Sequence, residues 1–364
     1  MVSMEVKKPR RALSYLEICV KAFLFSMLAL LAVAMVKSGG NTKAAESSLR
    51  KSFSVDTTAI TSNFWSSNLQ EPSVVEPTPQ PELKSCLTLQ TSGDVDTRYT
   101  PRPEETDKCL LYQEPSPYLK LLTRILVGTP IEGAYHGRAN VIKPYDEKLR
   151  YYGNDWPPFG YTMVGTARLE NFRAAIHEVD RNNIPGAIVE LGVWRGGAMM
   201  MASGITQEAK SGRDLYVYDA FESIPGYGGH ASFLENSEED VKSYFETFEL
   251  LTPNVHFVKG LFKDTVPNWK KGTPVAVLRV DGNFYDSYQD ALYAMYEDVP
   301  IGGIVIFDDV MSHPPVMRCW KDFKRDHGVP EELNRIDTHS TWFRKTHDTK
   351  IDQTKKHPPQ DVNK

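Results

Sequence analysis

The 364-residue sequence predicts an α/β fold, a doubly wound, mostly parallel sheet with helices on both faces. Three observations predict it. From Thr166 onward, short apolar runs alternate with segments of helical periodicity. The run Ala187–Leu191 enters a glycine-studded turn, Gly192-Val193-Trp194-Arg195-Gly196-Gly197, and then a helix rich in Ala and Met. Three further facts of position make the third observation: apolar runs end in carboxylates at Asp219, at Asp281 and at Asp308-Asp309. In a parallel sheet such ends share one edge, where ligands bind.

The elements follow in order. Lys7, Lys8, Arg10 and Arg11, within residues 1–17, precede the run Ile18–Val36, whose only charge is Lys21. The uncharged part spans about 15 residues, and a snorkelling Lys21 extends it to roughly 19–20, close to a membrane span. The basic cluster ahead of it favours a cytoplasmic N terminus and a lumenal body. The expectation is a transmembrane signal anchor and a type II membrane protein of the Golgi or another secretory-pathway lumen. Ala32-Val33-Ala34 keeps a cleaved signal peptide, and secretion, as the competing reading. Residues 37–109 are dominated by Ser, Thr, Pro and Gln and read as a disordered stem, too poor in apolar periodicity to offset chain entropy. Cys86 and Cys109 would be free to pair in an oxidising lumen. No Asn-x-Ser/Thr sequon supports that topology.

A globular body is expected over residues 110–345. Ser116-Pro117 starts a helix at Tyr118–Val127, and Thr166–Asn182 reads as a second. Strands are predicted at Ala187–Leu191, Leu215–Tyr218, Val255–Lys259, Val275–Val280, Gly303–Phe307 and Thr341–Lys345. Between them lie helices at Ala198–Ala209, Glu238–Leu251, Asp286–Tyr296 and Val316–His327. The charged tail, residues 346–364 with Pro358-Pro359, is expected to be disordered.

Composition narrows the function. A formal charge of -5 gives no general attraction to nucleic acid. Four cysteines form no CxxC pair and no zinc spacing. The turn after Glu190 brings backbone close to a ligand, and Asp219 stands where a ribose would be held, or else caps the next helix. The dinucleotide spacing GxGxxG is absent, which disfavours a nicotinamide cofactor. S-adenosylmethionine has no pyrophosphate, and its cationic methionine part suits a strand ending in Glu190. Asp281, Asp308 and Asp309 converge on one edge as an all-oxygen set that suits Mg²⁺, with caps and turns as the bland alternative. His313 follows the Asp pair closely enough to reach the same site, with a solvated loop histidine as the equal alternative.

Tyr161-Thr162-Met163-Val164-Gly165, Arg168-Leu169-Glu170-Asn171, the turn from Val189 to Gly197, Asp219-Ala220-Phe221-Glu222-Ser223, Gly260 to Pro267, Leu278-Arg279-Val280-Asp281-Gly282 and Phe307-Asp308-Asp309 resemble the macrocin-type O-methyltransferases in kind and order. The resemblance covers about Tyr151 to Lys345. It implies a class I methyltransferase, Rossmann-like fold, S-adenosylmethionine and Mg²⁺, a sugar or glycan acceptor, and a homo-oligomer. It also implies metal ligands at Asp281, Asp308 and Asp309. Cofactor contacts are implied at Thr162, Met163, Glu190, Gly192, Trp194, Arg195, Gly196, Asp219 and Ser223, with Gly260, Phe262 and Asp264 flanking the adenine. The family reads Asp-Gly-Asp at the metal strand, where the second Asp is its proposed base; here that residue is Asn283. An amide takes no proton at neutral pH. Metal acidification with His313 or water as acceptor, a more acidic diol acceptor, and a binding protein with impaired turnover all stay open.

Overall fold

The computed structural model describes residues 110–129, 134–136, 141–223 and 231–359. The apolar run Ile18–Val36, the stem and the cysteines Cys86 and Cys109 lie outside the described residues. In chain order the elements are α1 (Pro117–Leu126), the antiparallel pair β1 (Ala134–His136) and β2 (Val141–Lys143), α2 (Glu147–Tyr151) and α3 (Gly165–Arg181). There follow β3 (Ala187–Leu191), α4 (Gly197–Ala209), β4 (Leu215–Asp219), α5 (Ala231–Leu234), α6 (Glu238–Thr247), β5 (Val255–Lys259) and α7 (Phe262–Thr265). The last are β6 (Val275–Val280), α8 (Tyr285–Met295), β7 (Ile304–Phe307), α9 (Pro314–His327), β8 (Asn334–Arg335) and β9 (Thr341–Arg344).

The main sheet runs β5-β4-β3-β6-β7-β9-β8. Strands β3 to β7 are parallel, and β9 and β8 add antiparallel strands at one side. The chain winds outward from β3 through β4 to β5, then returns to the other side of β3 with β6. That reversal opens a crevice between the C-terminal ends of β3 and β6. The predicted strands are all present, with bounds moved by one residue at most. Hydrophobic pattern alone missed β1, β2, α2, α5, α7 and β8, because segments of two to five residues carry too little periodicity to register.

Period-2 alternation splits the strands between two core layers. Ile188, Val217, Ile304 and Ile306 face a layer built by α1, α3, α4 and α6. Val189, Leu278, Val305 and Phe307 face α8 and α9. Ser116 caps α1 by accepting the Leu119 N–H at 3.1 Å, with Pro117 at the first helical position, so the expected helix start is present.

The tail corrects an expectation. Residues 346–359 are not loose chain: they run along α8 and α9. Ile351 is buried in the second core layer. The Gln353 side chain donates to the Tyr293 carbonyl at 2.9 Å, and Lys356 pairs with Asp290 at 2.7 Å. Gln289 exchanges two hydrogen bonds with the His357 backbone. Polar composition misled because these polar groups have partners waiting on helices, and one apolar side chain supplies the anchor. A chain ended after Lys345 loses the Ile351 burial, about 2 kcal/mol. Its melting temperature, followed by circular dichroism, is expected to fall by roughly 4–8 °C.

Candidate active site

The site begins with a steric demand. Gly192 has φ +90°, and a Cβ there would lie 1.9 Å from the Asp281 carbonyl oxygen. Only glycine lets the tip of β3 pass the tip of β6. The Gly192 N–H donates to the Tyr218 carbonyl at 2.8 Å, and the Asp281 N–H to the Leu191 carbonyl at 2.8 Å. Trp194, Phe221, Asn283 and Asp309, at the tips of four adjacent strands, also have positive φ, between 51° and 56°. Each costs roughly 1–2 kcal/mol, less for Asn and Asp. Strain is thus concentrated along the edge where the crevice opens.

Asp219 at the end of β4 builds the neighbouring turn. Its Oδ2 accepts from the Val193 N–H at 2.8 Å and the Trp194 N–H at 3.1 Å, and its Oδ1 accepts from the Phe221 N–H at 3.1 Å. Burial raises its carboxyl above the usual range, and these backbone hydrogen bonds oppose the rise. Glu222, exposed, stands on the same wall.

A cavity of about 360 Å³ fills the crevice. Thr162, Met163, Glu190, Gly192, Trp194, Asp219, Phe262, Asp281 and Asn283, all candidate site residues of the sequence, line it. Trp194 donates its indole N–H to the Phe233 carbonyl at 3.1 Å, and Phe233 stacks on Trp156 with ring centroids 5.3 Å apart. Leu234 and Glu235, which follow Phe233, also line the cavity. Arg195, Gly196, Ser223, Gly260 and Asp264, also expected to contact the cofactor, are not among the residues that line the cavity. The Arg195 guanidinium turns away to the Pro158 and Gly160 carbonyls, at 3.0 and 2.9 Å. Gly196 is the left-handed cap of α4, packed against Val241 and Phe245. Gly260 turns the chain beyond β5, while Asp264 and Ser223 are exposed.

At the deep end, carboxylates gather around a guanidinium. Arg279, on β6, is register partner to Glu190 on β3. It is buried and donates to Glu190 Oε1, to Asp281 Oδ2 at 3.1 Å and to Asp308 Oδ1 at 2.9 Å. Arg168, from α3, donates to Asp308 Oδ2 at 2.8 Å and to Asp337 Oδ2 at 2.7 Å. Ser340 donates to Asp308 Oδ1 at 2.6 Å. Burial and the Asp308 charge push Asp281 well up. Burial pushes Asp308 up too, but the Arg168 and Arg279 guanidiniums overcome it and hold that carboxyl low. Asp309 is raised by burial and by Asp308. Glu190 is pushed up to about 7, by burial foremost and against the pull of Arg279. Its Oε2 is buried without a partner.

Asp281, Asp308 and Asp309 each present an oxygen within 4.8 Å of the others, so the structure brings the predicted metal ligands together. His313 Nδ1 lies 4.0 Å from Asp309 Oδ2, as expected for a residue in reach. His339 Nδ1 lies 3.9 Å from Asp309 Oδ1, with its Nε2 2.7 Å from Asn154 Oδ1. Sequence reasoning gave no role to Arg168, Arg279, Asp337, His339 or Ser340. Arg168 and Arg279 stood inside quoted motifs, but no local signal shows that residues up to 169 positions apart meet.

Arg279 is the cation that Glu190, Asp281 and Asp308 share, with Arg168 as a second partner of Asp308. In Arg279→Leu the three buried acids lose their shared cation, and unfolding in urea at pH 8 is expected to become easier by about 3–5 kcal/mol. The pKa values of Glu190 and Asp281, already raised in the folded state, then climb further, and Asp308 loses one of the two cations that hold it low, so the folded state binds more protons than in the wild type and the added loss of stability grows as pH rises. The deficit is expected to shrink at pH 5. A deficit equal at both pH values would contradict this electrostatic role.

Comparison with known proteins follows this geometry. Residues 115–345 match the family described as Macrocin-O-methyltransferase (TylF). The chain is 39% identical over 247 residues to demethyldecarbamoylnovobiocin O-methyltransferase of Streptomyces niveus, covering 63% of this chain and 93% of that one. It is 30% identical over 246 residues to mycinamicin III 3''-O-methyltransferase of Micromonospora griseorubida, covering 63% and 96%. The solved structure of the O-methyltransferase NovP superposes with a TM-score of 0.59 at 36% identity, covering 63% of this chain and 98% of NovP. These findings correct the expected Golgi membrane location. The relatives come from bacteria, which have no Golgi, and among the described residues no helix is long and apolar enough to cross a membrane. With the family matched over most of the chain, and the fold shared with NovP, the chain belongs to the macrocin-O-methyltransferase (TylF) family of O-methyltransferase enzymes.

Proposed function

We propose that this enzyme transfers the methyl group of S-adenosylmethionine to a sugar hydroxyl, with Mg²⁺ held by Asp281, Asp308 and Asp309. The observation that carries this reading is the adjacency of the cavity at the β3–β6 crevice to the three-carboxylate cluster. The donor set fits a hard cation. All ligands are oxygen, and five carboxylates (Glu190, Asp281, Asp308, Asp309, Asp337) meet only two guanidiniums (Arg168, Arg279). The cavity fits the cofactor. Glu190 Oε2, buried without a donor, supports an ammonium group as its partner. The acceptor class draws support from a relative in Streptomyces olivaceus, 32% identical, whose name specifies a rhamnosyl tetracenomycin.

When bound, S-adenosylmethionine supplies an electrophilic methyl and Mg²⁺ lowers the pKa of the acceptor hydroxyl. The chain's own residues position and exclude. Glu190 holds the methionine amine. Asp219 and Glu222, on the same wall, hold the ribose hydroxyls. Phe262 flanks the adenine, and Thr162 and Met163 complete the lining around the cofactor. Trp194, Phe233 and Trp156 keep water from the opening. Asn283 keeps the outline of a base without accepting a proton, and its side chain tolerates φ 56° there. His313, beside Asp309, is the proton acceptor in this reading. In-line displacement asks mainly for such positioning.

Calorimetric titration of the protein with S-adenosylmethionine, followed by methyl transfer to rhamnosylated acceptors, tests the proposal. Binding is expected, with transfer lost on chelation by EDTA and restored by Mg²⁺. Asn283→Asp is expected to raise the turnover rate, by as much as about 10²–10⁴-fold, the usual worth of a general base. Absence of cofactor binding would sink the proposal. Transfer that survives chelation would remove the metal from it.

A further inference from the structure

The geometry points to Arg168 and Asp337 as a positioning pair that aims one oxygen lone pair of Asp308 into the carboxylate cluster. This rests on the metal reading above. A carboxylate offers about four lone-pair directions. On Asp308, Oδ1 is filled by the Arg279 guanidinium at 2.9 Å and the Ser340 hydroxyl at 2.6 Å. Oδ2 takes one donor, Arg168 Nη1 at 2.8 Å. A single lone pair on Oδ2 is left to meet a cation shared with Asp281 and Asp309. Its direction is set by where Arg168 stands.

Arg168 is itself fixed. Its Nε donates to Asp337 Oδ2 at 2.7 Å, and its Nη2 to the Tyr152 carbonyl at 3.4 Å. Asp337 is held in turn: its Oδ1 accepts from the backbone N–H of His339 at 2.7 Å and of Ser340 at 2.8 Å. The turn from Asp337 to Ser340 therefore grips Asp308 twice, directly through Ser340 and indirectly through Arg168. The Asp337 side chain is fully buried and that of Arg168 nearly so. Burying such ions is an inefficient way to gain stability, because desolvation offsets most of the attraction. Direction is what it provides. A guanidinium binds two carboxylates through two nitrogens held in one plane, and a lysine ammonium cannot reproduce that fork.

The test uses the full chain and Mn²⁺ alone as probe, titrated by electron paramagnetic resonance, with S-adenosylmethionine affinity measured in parallel. Asp337→Asn and Arg168→Lys are each expected to weaken Mn²⁺ binding about 10–100-fold, the usual effect of losing a partner behind a metal ligand. S-adenosylmethionine affinity should stay within about twofold, since neither residue lines the cavity. The two substitutions lie on different elements, so either one that folds tests the pair. Ser340→Ala, which removes one hydroxyl, is a third variant and is expected to weaken Mn²⁺ severalfold. Folded variants that melt earlier but bind Mn²⁺ like the wild type would reduce the pair to a structural ion pair and overturn the inference. A wild-type chain that binds S-adenosylmethionine and no Mn²⁺ would overturn the metal reading itself.

Discussion

Arg279 stands where the winding of the sheet reverses, and its one guanidinium binds acids from three consecutive strands of the sheet: Glu190 on β3, Asp281 just past β6 and Asp308 just past β7. Those acids would otherwise repel one another across a buried edge. A cation in their midst lets the strand tips close to hydrogen-bonding distance, with the Asp308 N–H donating to the Val280 carbonyl at 2.9 Å. The crevice between β3 and β6 keeps its shape because this ion cluster fixes its deep wall. Loss of the cation would leave buried charges unpaired, which costs several times more than a surface pair is worth.

The same edge stores backbone strain. Four non-glycine residues take left-handed conformations at neighbouring tips, and Gly192 takes one that no side chain could share. The two core layers pay for this, since rigid packing on both faces of the sheet over-determines where each strand ends. Tyr288 illustrates the link. It is buried among the second core layer, yet its single hydroxyl proton is shared between the carbonyls of Val280 and Asp308, just behind the acids. Core packing and site geometry are therefore coupled through one side chain.

The methyl donor, the acceptor hydroxyl and the cation have separate places in the proposed reaction. The cavity wall from Thr162 to Asp219 answers to the donor. The carboxylates answer to the cation. The segment Tyr152–Trp156 contacts the surroundings of both: Asn154 meets His339 beside Asp309, and Trp156 stacks on Phe233, whose carbonyl accepts from the indole of the cavity-lining Trp194.

The sequence by itself determined the strands, because buried runs such as Val275–Val280 and Ile304–Phe307 are continuously apolar and end in carboxylates. It also determined that Asp281, Asp308 and Asp309 would meet, since parallel strands present like ends to one edge. It located most of the cavity wall, from Glu190, Gly192 and Asp219 to Phe262, through motif order. Tertiary structure alone decided the rest. Arg195 and Asp264 sit in the right motifs, yet one side chain turns to the Pro158 and Gly160 carbonyls and the other to solvent, a choice made by neighbours far along the chain. The tail reads as solvated by composition and is ordered by partners on α8 and α9. Asp337, His339 and Ser340 have no local signature at all. Short-range pattern records the hydrophobic period and the turn chemistry. Which buried ion finds which partner depends on contacts between residues more than a hundred positions apart, and those exist only once the sheet has formed.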